Sequence, residues 1–372
     1  MSTQRNAWAL AVLVTVCGTT QAEDARVIAK LDQLGAFVRR DESKPGQPIV
    51  SVEVLGILER KMTDADLKEL ATLGDLRTLS LVYTKITDAG LKHLAAFPKL
   101  DYLSLFDAEI TDAGLKHLAD LKELQELSLW GPKVSDAGLK ELVALPRLER
   151  LTLNGTAVAD AGLKTLSALP RLNDLSLSDT KVTDAGVTEL ASFKGLTKLS
   201  LDGTGITDKG VKEIVGVKGL RVLNLSKTKV TDAGLNKLSV CASLEKLILN
   251  DTAVTDIGLT TVGKSMGIRA LYIGSTKVTD AGLEELAALK DLRKLAIFYT
   301  AVTDAGVKEL AALTRLEELY LQGTKVSDRS VPDLLKLSRL RVLDLEDSRV
   351  TPAGFAVIRE GLPDCRFPEY RR

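Results

Sequence analysis

The residues best suited to chemistry in this chain are carboxylates, and they are evenly spaced. Asp stands at positions 64, 88, 112, 136, 160, 184, 208, 232, 256, 280, 304 and 328, a period of 24 without insertion or deletion. Such a column invites calcium ligation or paired general acids. Acid–base chemistry needs a convergent partner, and carboxylates strung at one interval along 372 residues have none. The same phase reaches Thr351-Pro352, and Pro is favoured at the first position of a helix. That fixes a structural register: Ser or Thr caps a helix in every unit except at Ala159, and Asp follows at the first helical position, against the positive end of the dipole.

Gly90, Gly114, Gly138 and their successors lie two residues after the Asp of their own units. Glycine there costs about 1 kcal/mol of helix propensity relative to Ala, which predicts a close approach to the adjoining loop or repeat. The two histidines, His93 and His117, are one period apart and flank core positions Leu94 and Leu118, so they are expected on the outer helical surface. With no Cys or third ligand in register, they do not make a metal site. No nucleophile–base–acid set, phosphate loop or metalloprotease motif occurs, and no cofactor or enzymatic activity is expected.

The elements that would position these residues follow from apolar spacing. The unit from Leu175 reads LSLSDTKVTDAGVTELASFKGLTK. Leucines alternate at 175 and 177, then apolar residues recur every third position at Val187, Leu190, Phe193 and Leu196, giving one short strand and one helix per unit. A unit of this size cannot bury its apolar face alone, so the units must stack into an elongated solenoid with one continuous core.

The L-x-x-L-x-L cores, Leu172, Leu175 and Leu177, then Leu196, Leu199 and Leu201, resemble the leucine-rich repeat family over about residues 52 to 370. The T-D-A-G-L helix start is similar to a bacterial secreted subclass and to the cysteine-containing repeats of F-box proteins. The resemblance implies an α/β curved horseshoe, with a parallel sheet on the concave face and helices on the convex face. Where the family usually runs an Asn ladder, this chain has Thr84, Thr156, Thr180, Thr204, Thr228, Thr252, Thr276, Thr300 and Thr324. Its F-box side implies a substrate-recognition subunit of a ubiquitin ligase, which the amino-terminal residues argue against.

Those residues divide the chain. Arg5, the apolar stretch from Ala7 to Val16, and Thr20 with Ala22 predict a signal peptide over 1–22, cleaved after Ala22. The apolar stretch is too short for a transmembrane anchor. Lipid attachment at Cys17 is the alternative, disfavoured by bulky Val16 before it. Residues 23–51 are expected to form an N-terminal cap of helix plus hairpin, 52–350 the solenoid of about twelve to thirteen units, and 351–372 a C-terminal cap. Cys241 and Cys365 are too far apart to suggest a disulfide framework. Fifty basic and fifty acidic residues leave no net charge, so nucleic acid is not the expected partner.

Function is therefore expected in the non-repeating positions of the sheet face. Of fifteen aromatic residues, eight fall there: Tyr83, Tyr102, Phe106, Trp130, Tyr272, Phe298, Tyr299 and Tyr320. They form two clusters about 38 Å apart at ~4.8 Å per strand. Between them lie Asn154, Ser176, Ser178, Asp202, Asn224, Ser226 and Asn250, and a column of Arg150, Asp174, Lys198 and Lys246. Breaks in the pattern accompany each cluster: Ala108 and Pro132 in the Thr column, and Gly263, Ser265 and Gly267 in place of a regular helix. Aromatic clusters of this kind anchor interfaces. The expected function is a secreted, non-enzymatic scaffold that binds a protein on its concave face, with a glycan or cell-wall ligand as the alternative.

Overall fold

The computed structural model describes residues 20–56, 62–265 and 267–368. The predicted leader and Cys17 lie outside them, except that the helix Thr20–Gln33 carries Ala22 in its first turn. Val27 and Leu31 of this helix are buried, and Ile28 and Leu34 pack against the same core, as their spacing requires. A hairpin follows, formed by β1 (Phe37–Arg40) and β2 (Ile49–Leu55) paired antiparallel. Twelve parallel strands continue the sheet in strict chain order. They are β3 (Thr78–Val82), β4 (Tyr102–Phe106), β5 (Glu126–Trp130), β6 (Arg150–Thr152), β7 (Asp174–Ser176) and β8 (Lys198–Ser200). Then come β9 (Val222–Asn224), β10 (Lys246–Ile248), β11 (Ala270–Tyr272), β12 (Lys294–Ala296), β13 (Glu318–Tyr320) and β14 (Val342–Asp344). The result is a curved solenoid, with the sheet lining the concave face.

Each turn of the solenoid contributes the same wedge of core. In one unit Leu79, Leu81, Ile86, Leu91, Leu94, Phe97 and Leu100 are all fully buried. At about 2 kcal/mol for each buried leucine-sized side chain, this column set drives the stacking. Cys241 occupies the same core, and burial pushes its thiol up; burial also raises the thiol of Cys365, in its case to about 11. The helices are short, many of them Asp-x-Gly-x-x-x-Leu segments of seven residues such as Asp136–Leu142. In the unit from Leu175 the helix Gly186–Ser192 is of the tighter 3-10 kind, whose three residues per turn match the spacing of Val187 and Leu190. At the far end the helix Pro352–Gly361 begins at Pro352, with Thr351 capping Gly354 N.

The aspartate column does more than face a helix dipole. Each of the twelve accepts from the backbone N–H of the capping residue one repeat on, at 2.7–2.8 Å. Its second oxygen takes the capping hydroxyl at 2.6–2.7 Å, except at Ala159, which has none to give. That hydroxyl in turn accepts from the second helical N–H, as Thr87 does from Ala89 N at 3.2 Å. The carboxylate therefore rivets neighbouring repeats together. The glycine column exists because of it: a Cβ at Gly90, Gly114 or Gly234 would overlap Oδ1 of the preceding repeat's aspartate.

Both ends of the column confirm this reason. Asp66 stands in the glycine column of the first repeat, where no earlier aspartate precedes it, and its own carboxylate takes Thr63 N at 2.8 Å and Thr63 Oγ1 at 2.9 Å. Burial would raise its pKa, but Lys30 at 2.6 Å and the Thr63 donors hold it below the usual carboxylate value. Ser330 also occupies the glycine column and turns the contact into a hydrogen bond to Asp304.

One open column is resolved and one expectation needs correction. The threonine column is no ladder between repeats, because each hydroxyl from Thr156 to Thr324 donates to the carbonyl three residues earlier in its own repeat, at 2.5–2.6 Å. The carboxylate column has already taken the inter-repeat role. Nor is the helix of the ninth unit interrupted by its glycine: it runs Asp256–Ser265, and Gly263 lets the carbonyl of Glu285 approach from the next helix.

Candidate functional site

On the concave face each repeat presents one side chain before, one between and one after its two strand leucines. The last of these columns runs Val82, Phe106, Trp130, Asn154, Ser178, Asp202, Ser226, Asn250, Gly274, Phe298, Gln322 and Glu346. The next residue turns the chain sharply, and there φ is positive in every repeat. That conformation suits Gly, Asp or Asn, but Tyr83 (φ 54°), Lys227 (φ 51°), Ser275 (φ 54°) and Tyr299 (φ 51°) adopt it too. A bulky residue held there costs about 1 kcal/mol or more, and such strain gathers at functional positions.

The first cluster is a continuous stack. Phe106 and Trp130 are register partners on β4 and β5, so the strand spacing itself brings their rings to 4.5 Å at 14°. Tyr83 meets Phe106 edge to face at 5.3 Å and 80°. Gly155 makes room on the other side: a Cβ there would lie 2.9 Å from Trp130 Nε1. Three consecutive repeats lack the threonine staple here, through Ala108, Pro132 and a Thr84 hydroxyl without a partner, and their strands run five residues instead of the three of β6. Without the hydroxyl drawing the chain back on itself, pairing extends to the aromatic column. Tyr102 stands apart on the first column, beside Glu126, and burial raises its pKa, with that charge adding to it.

The second cluster is dispersed. Tyr272 and Tyr320 share the middle column with Ala296 between them, while Phe298 and Tyr299 meet edge to face at 6.0 Å. Two glycines are notched for them: a Cβ at Gly274 would overlap Phe298, and one at Gly323 would overlap Tyr299. Lys246 lies over the Tyr272 ring at 4.9 Å from its centroid, and Tyr320 donates its hydroxyl to Glu318 at 3.1 Å. Burial, then the Glu318 charge and that hydrogen bond, push the Tyr320 phenol up to about 12. Only Tyr299 of the eight aromatics is mostly exposed, at 53 %; the others are half-buried because neighbouring repeats pack beside them.

Between the clusters the face is polar and largely satisfied from within. Arg150 pairs with Glu126 at 2.5 Å and Lys198 with Asp174 at 3.2 Å, so the alternating signs of that column neutralise one another laterally. Ser178 and Ser200 hydroxyls lie 3.0 Å apart, and Asn250 Oδ1 accepts Gly274 N at 2.8 Å. Asp202 Oδ1 and Ser226 Oγ are the exceptions, buried without a hydrogen-bond partner. Sequence reading put both in the polar middle but could not single them out, because their composition matches that of paired neighbours. His93 and His117 are half-buried in the helices of the second and third repeats. Burial first, then the Lys92 and Lys68 charges, lower the pKa of His93. Among the described residues no group of three metal-ligating side chains converges, and no helix is long and apolar enough to cross a membrane.

The comparisons with known proteins agree with this geometry. The family described as leucine-rich repeat matches residues 75–95, 196–215 and 220–239, each a segment around a helix of the stack. An internalin (InlF) from Listeria monocytogenes is similar at 21% identity and TM-score 0.59, over 94% of this chain and 95% of that one. TLR13, in a complex with ssRNA13, is similar at 21% identity and TM-score 0.52, over 86% of this chain and 46% of that one. No curated protein matches the sequence. The fold is that of a leucine-rich repeat solenoid. The repeats are leucine-rich by sequence as well as by shape, while the 24-residue subclass and the F-box likeness rest on the sequence motif alone.

Proposed function

We propose that this protein is a secreted binding scaffold, without enzymatic activity, that captures another protein on its concave face through Tyr83, Tyr102, Phe106, Trp130, Tyr272, Phe298, Tyr299 and Tyr320. One observation carries the reading: two tyrosines, one in each cluster, hold positive φ where the other repeats, Lys227 apart, place Gly, Asp or Ser. Each packs on one neighbouring ring, Tyr83 on Phe106 and Tyr299 on Phe298, but the Tyr299 ring stays the most exposed of the eight. Aromatic rings positioned on a rigid sheet bury large area at small entropic cost, as protein interfaces require. Export would follow from removal of residues 1–22, and the two end segments, 23–51 and 351–372, serve as caps.

The experiment is affinity capture from envelope and secreted fractions of the source cells, comparing the native chain with a folded variant carrying Phe106→Ala, Trp130→Ala, Phe298→Ala and Tyr320→Ala. A protein retained by the native chain and lost by the variant supports the reading. Equal retention by both moves binding off the concave face. Release by soluble oligosaccharide, with no protein retained, replaces the protein partner with a glycan.

A further inference from the structure

The unpaired centre of the concave face says what such a partner must carry. Buried polar atoms nearly always find a hydrogen-bond partner, and the exceptions call for an explanation. Asp202 Oδ1 and Ser226 Oγ are two such exceptions in adjacent repeats of one column, aligned by the bond from Gly203 N to Ser226 O at 2.9 Å. Ser226 is only 4% exposed. Around them Asn224 Oδ1 is occupied by Ser226 N at 3.0 Å, and the Ser178 and Asn250 side chains are likewise engaged. The chain thus satisfies the floor of this site and leaves an acceptor and a hydroxyl buried without a partner just beneath the concave face.

The surrounding charge selects the missing group. Asp179 and Asp251 stand in the turn column on either side, and the Asp179 carboxylate leans over the next repeat, where a Cβ at Gly203 would overlap its Oδ1. Lys227, exposed in the same turn column, is the one cation acting here, and among the described residues no lysine or arginine forms an ion pair with Asp202. Three carboxylates against one lysine leave the centre negative, while the flanking column is already neutralised by its own pairs. Burial raises the Asp202 pKa, the Lys227 charge lowers it, and the Asp179 and Asp251 charges raise it further. A carboxylate in such surroundings gains from an incoming donor with positive charge.

Resting on the concave-face reading above, we propose that Asp202 and Ser226 form the receptor for a lysine or arginine side chain of the protein partner, flanked by apolar groups that reach the aromatic clusters. An ammonium offers three donors and a guanidinium five, enough to satisfy Asp202 Oδ1 and Ser226 Oγ together once the partly buried Asp202 side chain turns to admit them. The same negative centre opposes phosphate, so a nucleic acid strand laid along this face meets repulsion where it would need cations.

The test uses a random peptide library displayed on phage, panned on the full chain, on Asp202→Asn and on a Phe106→Ala, Trp130→Ala variant, each checked for an unchanged unfolding midpoint. Peptides selected by the native chain are expected to carry Lys or Arg between aromatic or aliphatic residues. Replacing that basic residue by norleucine in a synthetic peptide is expected to weaken binding about tenfold, Asp202→Asn to do the same, and the two changes together to cost no more than either. Ser226→Ala gives a smaller loss in the same direction. If binding needs Phe106 and Trp130 but ignores the basic residue and Asp202, the cation receptor is wrong and the concave-face reading stands. If no peptide is enriched, or enrichment survives loss of the aromatics, the reading and the receptor fall together.

Discussion

Along the edge where the helices begin, every repeat from Asp64 to Asp328 hands a carboxylate to the same backbone nitrogen of the next. Across the concave face, no two repeats present the same three side chains: Tyr102, Ser104 and Phe106 give way to Glu126, Ser128 and Trp130, and later to Lys198, Ser200 and Asp202. The edge has the same neighbour at every step, so one solution to its hydrogen bonding serves throughout. The face meets solvent or a partner, and nothing in the stack requires it to repeat. Periodic residues therefore hold the solenoid together, and aperiodic ones on a periodic frame are where recognition is written.

The sharpest way to break this contrast is to remove one aspartate from each region. Asp208→Ala strips two hydrogen bonds from Thr231 and is expected to lower stability by about 3 kcal/mol. Asp202→Asn removes a buried charge that no partner satisfies and is expected to change stability by less than about 0.5 kcal/mol. Denaturant midpoints of the two variants decide, and equal losses would erase the distinction. Gly234→Ala follows, at about 2 kcal/mol destabilising despite alanine's better helix propensity, because its methyl overlaps the Asp208 carboxylate. Restoring space with Asp208→Ala in the same chain should make the added methyl nearly harmless, a coupling that simple propensity does not produce.

Within the face, a double-mutant cycle on Phe106 and Trp130 is expected to show about 1 kcal/mol of coupling, since the rings stack in register. The same cycle on Tyr272 and Tyr320, parted by Ala296, should show almost none. The smallest effect is spectroscopic. Absorbance titration should contain one tyrosine with a midpoint near 12 that disappears in Tyr320→Phe. Folding raises that pKa above its ordinary 10.0, so its contribution to stability is complete below pH 10 and fades as pH climbs through 12. A midpoint near 10 would mean that neither burial nor Glu318 acts on the phenol as the structure places them.

Much of this architecture is legible in the chain because stacking repeats one environment a dozen times. The Thr cap and the helix start at Pro352 follow from spacing, and so do the core columns. The column of Gly90 and Gly114 announces a close approach, but only the stacked structure identifies the carboxylate one repeat earlier as the group that approaches. Asp66 is the clearest case: by sequence it is an aberrant residue in a glycine column, and by structure it supplies the carboxylate that the first repeat lacks. The threonine column shows the opposite limit, since the sequence leaves open what a repeated hydroxyl bonds to, and the structure turns it to a carbonyl of its own repeat.

The sequence by itself determined the strand-and-helix unit, its 24-residue length and the line along which units stack, because buried leucines at fixed intervals admit one arrangement. It also marked which columns vary. Tertiary structure alone decided how the varying residues meet: that Phe106 and Trp130 stack while Phe298 sits over Gly274, and that Asp202 and Ser226 stay unpaired among satisfied neighbours. Those outcomes depend on contacts between residues 24 positions apart, across strands set at one spacing, and pairing or its absence at that range is a property of assembled neighbours rather than of any single repeat.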